Sequence, residues 1–310
     1  MAADARLAGS TPPVTPLPVP ERAALTRATL QIAASAVCFS AISIFTVIAT
    51  ERGGAPLASV LAWRYVLGAA ALLLVARTAM RVSPRRALPI LVFGGFGQAL
   101  VAVTALSALR WIPAATVGFL FYTFPAWVAI IAAVRRLEPL DGRRLTALAL
   151  ALGGIITLVA APGSGELHLG GVLLALASAL LYAIYIPLIG RLQRELATAA
   201  ASAYVALGAA VAFLVGGAVA EQLTASLTLI AWGATAGLAL LSTTLGFILF
   251  LRGLPVLGPV RTAIVSTAEP FWTAVLAALV LAQPLTAATA IGGALVAAAV
   301  VVLQTRAGGT

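Results

Sequence analysis

The chain is cut into about ten runs of roughly 20 apolar residues each, separated by short polar or Gly/Pro-rich breaks. At about 1.5 Å rise per residue, each run matches a hydrocarbon core roughly 30 Å thick. The runs are Leu30–Ala49, Pro56–Ala76, Ala87–Ala108, Ala114–Val134, Leu145–Ala161, Leu169–Ile189, Ala197–Val219, Leu227–Leu251, Pro259–Ala282 and Leu285–Leu303. Inside lipid every backbone N–H and C=O must be paired within the protein, so runs of this length are expected as spanning helices. Only 9% of residues are charged, against roughly 25% in an ordinary soluble domain. The expected class is an all-α integral membrane protein with ten transmembrane helices.

Residues 1–29 are polar and carry Pro12, Pro13, Pro16, Pro18 and Pro20. No compact apolar stretch with a small-residue cleavage site precedes the first run, so this segment reads as a disordered tail rather than a removed signal peptide. The net charge of +10 does not point to nucleic acid, because the arginines sit in short loops between apolar runs rather than on a soluble basic face. Arg6, Arg22, Arg27, Arg77, Arg81, Arg85, Arg86, Arg135, Arg136, Arg143, Arg144, Arg191, Arg194, Arg252, Arg261 and Arg306 fall on one side of a ten-span layout, and Arg52 and Arg110 on the other. That asymmetry places both termini in the cytoplasm of a cell (inner or plasma) membrane.

A shift of about 145 positions lays one half of the chain on the other: Pro125-Ala126-Trp127 meets Pro270-Phe271-Trp272, and Glu138-Pro139-Leu140 meets Gln283-Pro284-Leu285. Ala34-Ser35-Ala36 with Phe39 likewise echoes Ala177-Ser178-Ala179 with Tyr182. The units are residues 30–161 and 169–303. Five helices per unit is an odd number, so the second unit enters from the opposite side. The result is an inverted repeat, an architecture that suits alternating access to a central site.

With Ala62-Trp63-Arg64-Tyr65, Glu269-Pro270 and the Glu138-Pro139-Leu140 exit of the fourth helix in place, the chain resembles the EamA-type branch of the drug/metabolite transporter superfamily. The resemblance implies ten helices in two inverted repeats, a central cavity and secondary transport, often export of amino acids or related metabolites. It departs from that family where Gln283 stands in place of a second acidic residue.

Ionisable groups inside a bilayer are costly and so are candidates for function. Arg64 lies about 12 Å into the second run and Glu269 about 15 Å into the ninth, at similar depths where they could meet. Arg64 either locks helices together, contacts substrate or snorkels outward. Thr262, Ser266, Glu269 and Thr273 form a polar stripe at helical spacing. The carboxyl on that stripe serves proton or substrate coupling, or a structural role beside Pro270. Gln98, Tyr122, Thr123, Trp127, Tyr182, Tyr185, Tyr204 and Trp272 are candidate pocket residues, although aromatics also pack against lipid. Pro125, Pro187 and Pro270 are candidate hinges or simply accommodate curvature. Trp111 and Trp232 read as interfacial belt residues.

His168 and Cys38 are the sole residues of their kinds, which leaves no disulfide and no metal-ligand spacing. With no phosphate loop or Gly-x-Ser-x-Gly either, neither an enzyme nor a resident cofactor is expected. The predicted function is secondary transport, with export of small metabolites such as amino acids. The rivals are a proton-coupled exporter of lipophilic cations and a membrane receptor or assembly factor that moves nothing. Expected partners are the solute, membrane lipid and, for the coupled rival, protons.

Overall fold

A computed structural model describes residues 22–77, 82–134, 142–160, 168–192, 196–266 and 268–304. Every regular element among them is helical. In the first half these are α1 (Arg22–Val47), α2 (Leu57–Ala76), α3 (Pro84–Pro89), α4 (Gly95–Ser107), α5 (Ala114–Phe121), α6 (Phe124–Val134) and α7 (Gly142–Ala160). The second half holds α8 (Leu169–Leu192), α9 (Thr198–Val219), α10 (Leu229–Gly237), α11 (Phe247–Ser266), α12 (Ala268–Leu281) and α13 (Ala287–Gln304). Six helical stretches are long and apolar enough to cross a membrane, and four shorter apolar helices accompany them. Leu74, Leu152, Leu229 and Leu279 point outward, as expected where the surrounding medium is hydrocarbon.

Two boundaries differ from the sequence reading. Helix α1 begins at Arg22, inside the segment expected to be disordered. Its first turns are rich in Ala, Leu and Arg, which favour helix, and the Thr26 and Thr29 hydroxyls bond back to the Arg22 and Leu25 carbonyls at 3.0 and 2.9 Å. Helix α11 runs straight through the expected break between Leu251 and Pro259. Pro255 and Pro259 are four residues apart, so the two missing N–H groups fall on one face while the rest of the ladder is kept. Helix α8 continues past Pro187, as the expected run Leu169–Ile189 does; one missing N–H is tolerated in a membrane helix whose neighbours pack around it. Of the predicted first-half motif, Glu138-Pro139-Leu140 lies outside the described residues.

The packing keeps the symmetry of the repeat. Helix α2 packs on α9 and α7 on α13, each pair being equivalent members of the two halves, and α5 packs on α12. Helix α4 packs on α8 as the π-helical stretch Leu238–Gly246 packs on α1. The third helix of each half carries such a π stretch, Ile90–Gly94 in the first. Close approach depends on glycine: a methyl group at Gly208 would strike the Leu91 carbonyl, and one at Gly154 would lie 2.8 Å from the Gly292 carbonyl. Helices in lipid associate through such small-residue contacts.

One end of the array is tied together by polar bonds. The Ala114 N–H, at the start of α5, donates to Gln283 Oε1 beyond the end of α12 at 3.1 Å. Ser59 and Trp63 of α2 donate to the Gln222 and Thr224 carbonyls at 2.6 and 2.9 Å, and Thr228 donates to the Gly53 carbonyl at 3.0 Å. At the same end Trp111 stacks on His168 at 5.5 Å, and Trp232 lies 5.5 Å from Trp63.

Candidate functional site

The fourth helix of the first half is broken. Helix α5 stops at Phe121, the chain turns at Tyr122 and Thr123, and α6 starts at Phe124. Pro125 supplies no N–H to this turn. The turn is held instead by the Thr123 N–H and hydroxyl, both donating to the Leu120 carbonyl at 3.2 and 2.7 Å. Thr123 is therefore a buried structural residue of the turn.

The repeat-equivalent proline, Pro270, sits buried in the first turns of α12. Proline cannot donate to the carbonyl four residues earlier, so Ser266 C=O loses its α-helical partner. The structure fills that gap from the other half of the molecule. Tyr122 Oη lies 3.0 Å from the Ser266 carbonyl and 2.7 Å from Glu269 Oε2. A phenol has one proton to donate and lone pairs to accept with. When Glu269 is a neutral acid its O–H donates to Tyr122, and Tyr122 donates to Ser266. When it is a carboxylate the Tyr122 proton goes to Glu269 and the Ser266 carbonyl is left open. The two proline sites thus meet through one hydroxyl whose bonding depends on the proton of one carboxyl.

Around this cluster the aromatics interlock. Tyr182 of α8 lies 5.0 Å from both Phe121 and Phe124 and 6.2 Å from Tyr185. Tyr185 donates to the Gly94 carbonyl at 3.1 Å, at the end of the π stretch Ile90–Gly94. Thr273 donates to the carbonyls of Glu269 and, on α1, Ser40 at 3.1 and 3.4 Å.

Arg64 is elsewhere. It is 4% exposed, and its Nε donates to Thr243 Oγ1 in the second π stretch at 3.0 Å. Its guanidinium carbon stands 5.0 Å from the centre of the Tyr65 ring. That ring stacks on Phe213 at 5.5 Å, and its hydroxyl accepts from Gln98 at 3.0 Å. No ion pair joins Arg64 to Glu269. The two regions are connected through α1: Ser242, next to Thr243, donates to the Cys38 carbonyl at 2.7 Å, two residues before the Ser40 carbonyl that faces Thr273.

The structure therefore gathers Tyr122, Tyr182, Tyr185, Ser266, Glu269, Pro270 and Thr273 into one region, and Arg64 and Gln98 into a second. Trp127 and Tyr204 are half-buried on α6 and α9, and Trp272 is exposed on α12. The side chains of Pro125, Pro187 and Thr262 lie outside the described residues. Sequence reading missed Thr243, Tyr65, Phe121 and Phe124. A cavity of about 230 Å³ opens beside Thr46, Thr50, Glu51, Leu106 and Arg110, at the end tied by the polar bonds. Among the described residues no cluster of three His, Cys, Asp or Glu side chains suits a metal ion.

Two sequence repeats, symmetric helix packing and a polar core facing interrupted helices define a polytopic membrane transporter. The model of the EamA-like transporter family matches residues 26–160 and again 169–305, and the chain belongs to that family. No individually curated protein matches it by sequence. One solved crystal structure superimposes with a TM-score of 0.64, covering 89% of this chain and 96% of its own at 20% identity, a likeness of fold.

Proposed function

We propose that the protein is a secondary transporter that exports small amphipathic metabolites such as amino acids by alternating access. Its two inverted five-helix repeats, residues 30–161 and 169–303, rock about the contact between Tyr122 and the Ser266–Pro270 segment. The observation that carries this reading is the meeting of the two proline-disrupted helices through Tyr122 and Glu269. Broken helices with open carbonyls, joined by a protonatable group, are what a site that must change its exposure requires. Both termini are cytoplasmic in the cell membrane, as the arginine distribution directs. The cavity near Glu51 and Arg110, with an acid and a base on its wall, suits passage of a zwitterion.

A second reading, proton-coupled export of lipophilic cations, is favoured by the same carboxyl amid aromatic rings. The experiment is solute exchange in proteoliposomes with a panel of amino acids and lipophilic cations, under an imposed pH gradient, for the parent and Glu269→Gln. The amide introduced by that substitution donates to Tyr122 at every pH, so saturable flux that loses its response to the gradient is expected. Flux that responds to the gradient equally in both proteins removes Glu269 from coupling. No saturable flux of any solute by folded protein removes the transport reading.

A further inference from the structure

Among the described residues, no carboxylate pairs with the charge of Arg64. A guanidinium has five N–H donors, and in this structure only Nε is bonded, to a neutral threonine hydroxyl. None of the described carboxylates is in an ion pair with Arg64. Glu269 is with Tyr122, Glu51 lines the cavity beside Arg110, and Glu221 is exposed beyond the end of α9.

Outward snorkelling is opposed by the loop after α9, which is bonded across the start of α2 through Ser59 and Trp63. Tyr65 offers a ring near the guanidinium carbon but no negative charge. Thr243 can approach because residue 68 is glycine: a methyl group there would lie 2.8 Å from Thr243 Cγ2. Among the described residues, the buried polar atoms sealed from accessible space without a partner do not include the terminal nitrogens of Arg64. Accessible space therefore reaches them.

An uncompensated guanidinium in a membrane interior is retained when something else supplies the counter-charge during function. Its two terminal nitrogens form a planar fork matched to the two oxygens of a carboxylate. We propose that this edge of Arg64 binds a carboxylate carried by the transported solute. The inference rests on the transport reading for its biological meaning, while the binding it predicts is measured without transport.

The test is thermal unfolding of the purified full-length protein in nanodiscs with leucine, 4-methylpentanoate and leucinamide, and with sodium chloride and phosphate as anion controls. The two carboxylates are expected to raise the unfolding temperature saturably, and leucinamide and the inorganic anions are not. Arg64→Gln is expected to abolish the response, and Arg64→Lys, which keeps charge but not the fork, to weaken it.

Thr243→Asp, compared with Thr243→Asn, places a carboxylate beside the guanidinium from within. It is expected to raise the unfolding temperature and remove the ligand response. Equal responses to leucine and leucinamide, a parental response in Arg64→Gln, or no response to any carboxylate together with a Thr243→Asp protein less stable than Thr243→Asn would each overturn the proposal. If Arg64→Gln carries amines and carboxylates at parental rates, the anion site falls and transport stands. If the parent binds carboxylates but moves nothing, the transport reading falls and the site stands.

Discussion

Tyr122→Phe removes one oxygen and keeps the ring, so the aromatic contacts with Phe121 and Phe124 at 6.2 and 5.9 Å survive. What is lost is the only donor found for the Ser266 carbonyl among the described residues, together with the partner of Glu269. With Glu269 neutral, both the acid O–H and the Ser266 carbonyl lose a bond. With Glu269 charged, the carboxylate loses its donor. In either state at least one buried group is orphaned, at a cost of about 1–3 kcal/mol, which is roughly a 5- to 150-fold change in an equilibrium constant. Unfolding of the variant in mixed micelles should show a loss of that size. The double variant with Glu269→Gln should be non-additive by about 0.5–3 kcal/mol, as expected of residues in one network. A Tyr122→Phe protein as stable as the parent, or strict additivity with Glu269→Gln, would refute the shared-hydroxyl argument.

Gly208→Ala should destabilise by about 1–3 kcal/mol, because its methyl group meets the Leu91 backbone, which cannot move aside like a side chain. Gly233→Ala, with nothing within 4 Å of the added carbon, should stay within about 0.5 kcal/mol by the same unfolding measurement. Ser59→Ala removes a hydroxyl that donates to the Gln222 carbonyl and accepts from the Thr224 N–H at 2.6 and 2.9 Å. It should cost about 1–3 kcal/mol and speed hydrogen exchange in the loop after α9.

The membrane class and the twofold repeat were legible in the sequence, because each is written locally: in run length and in a constant offset. Pairings through space were not. Tyr122 and Glu269 are 147 positions apart and Arg64 and Thr243 are 179 apart, and no periodicity encodes either contact. Depth along the helices suggested that Arg64 and Glu269 meet, but depth fixes one coordinate and leaves the angle around the bundle free. Helix α1 stands between their hydrogen-bonding partners. The π stretches were invisible because an i→i+5 ladder has no compositional mark, and the break expected before Pro259 is absent from α11 because lipid penalises leaving a helix more than it penalises one lost bond.

The central claim, that the two halves must move against each other, is tested most directly at the bond between Ala114 and Gln283, which ties the start of α5 to the end of α12. Ala114→Cys with Gln283→Cys in a Cys38→Ala background can be oxidised to fasten the two repeats at that end. Solute exchange in proteoliposomes should stop on oxidation and return on reduction. Exchange that continues at the reduced rate while the link is intact would contradict alternating access.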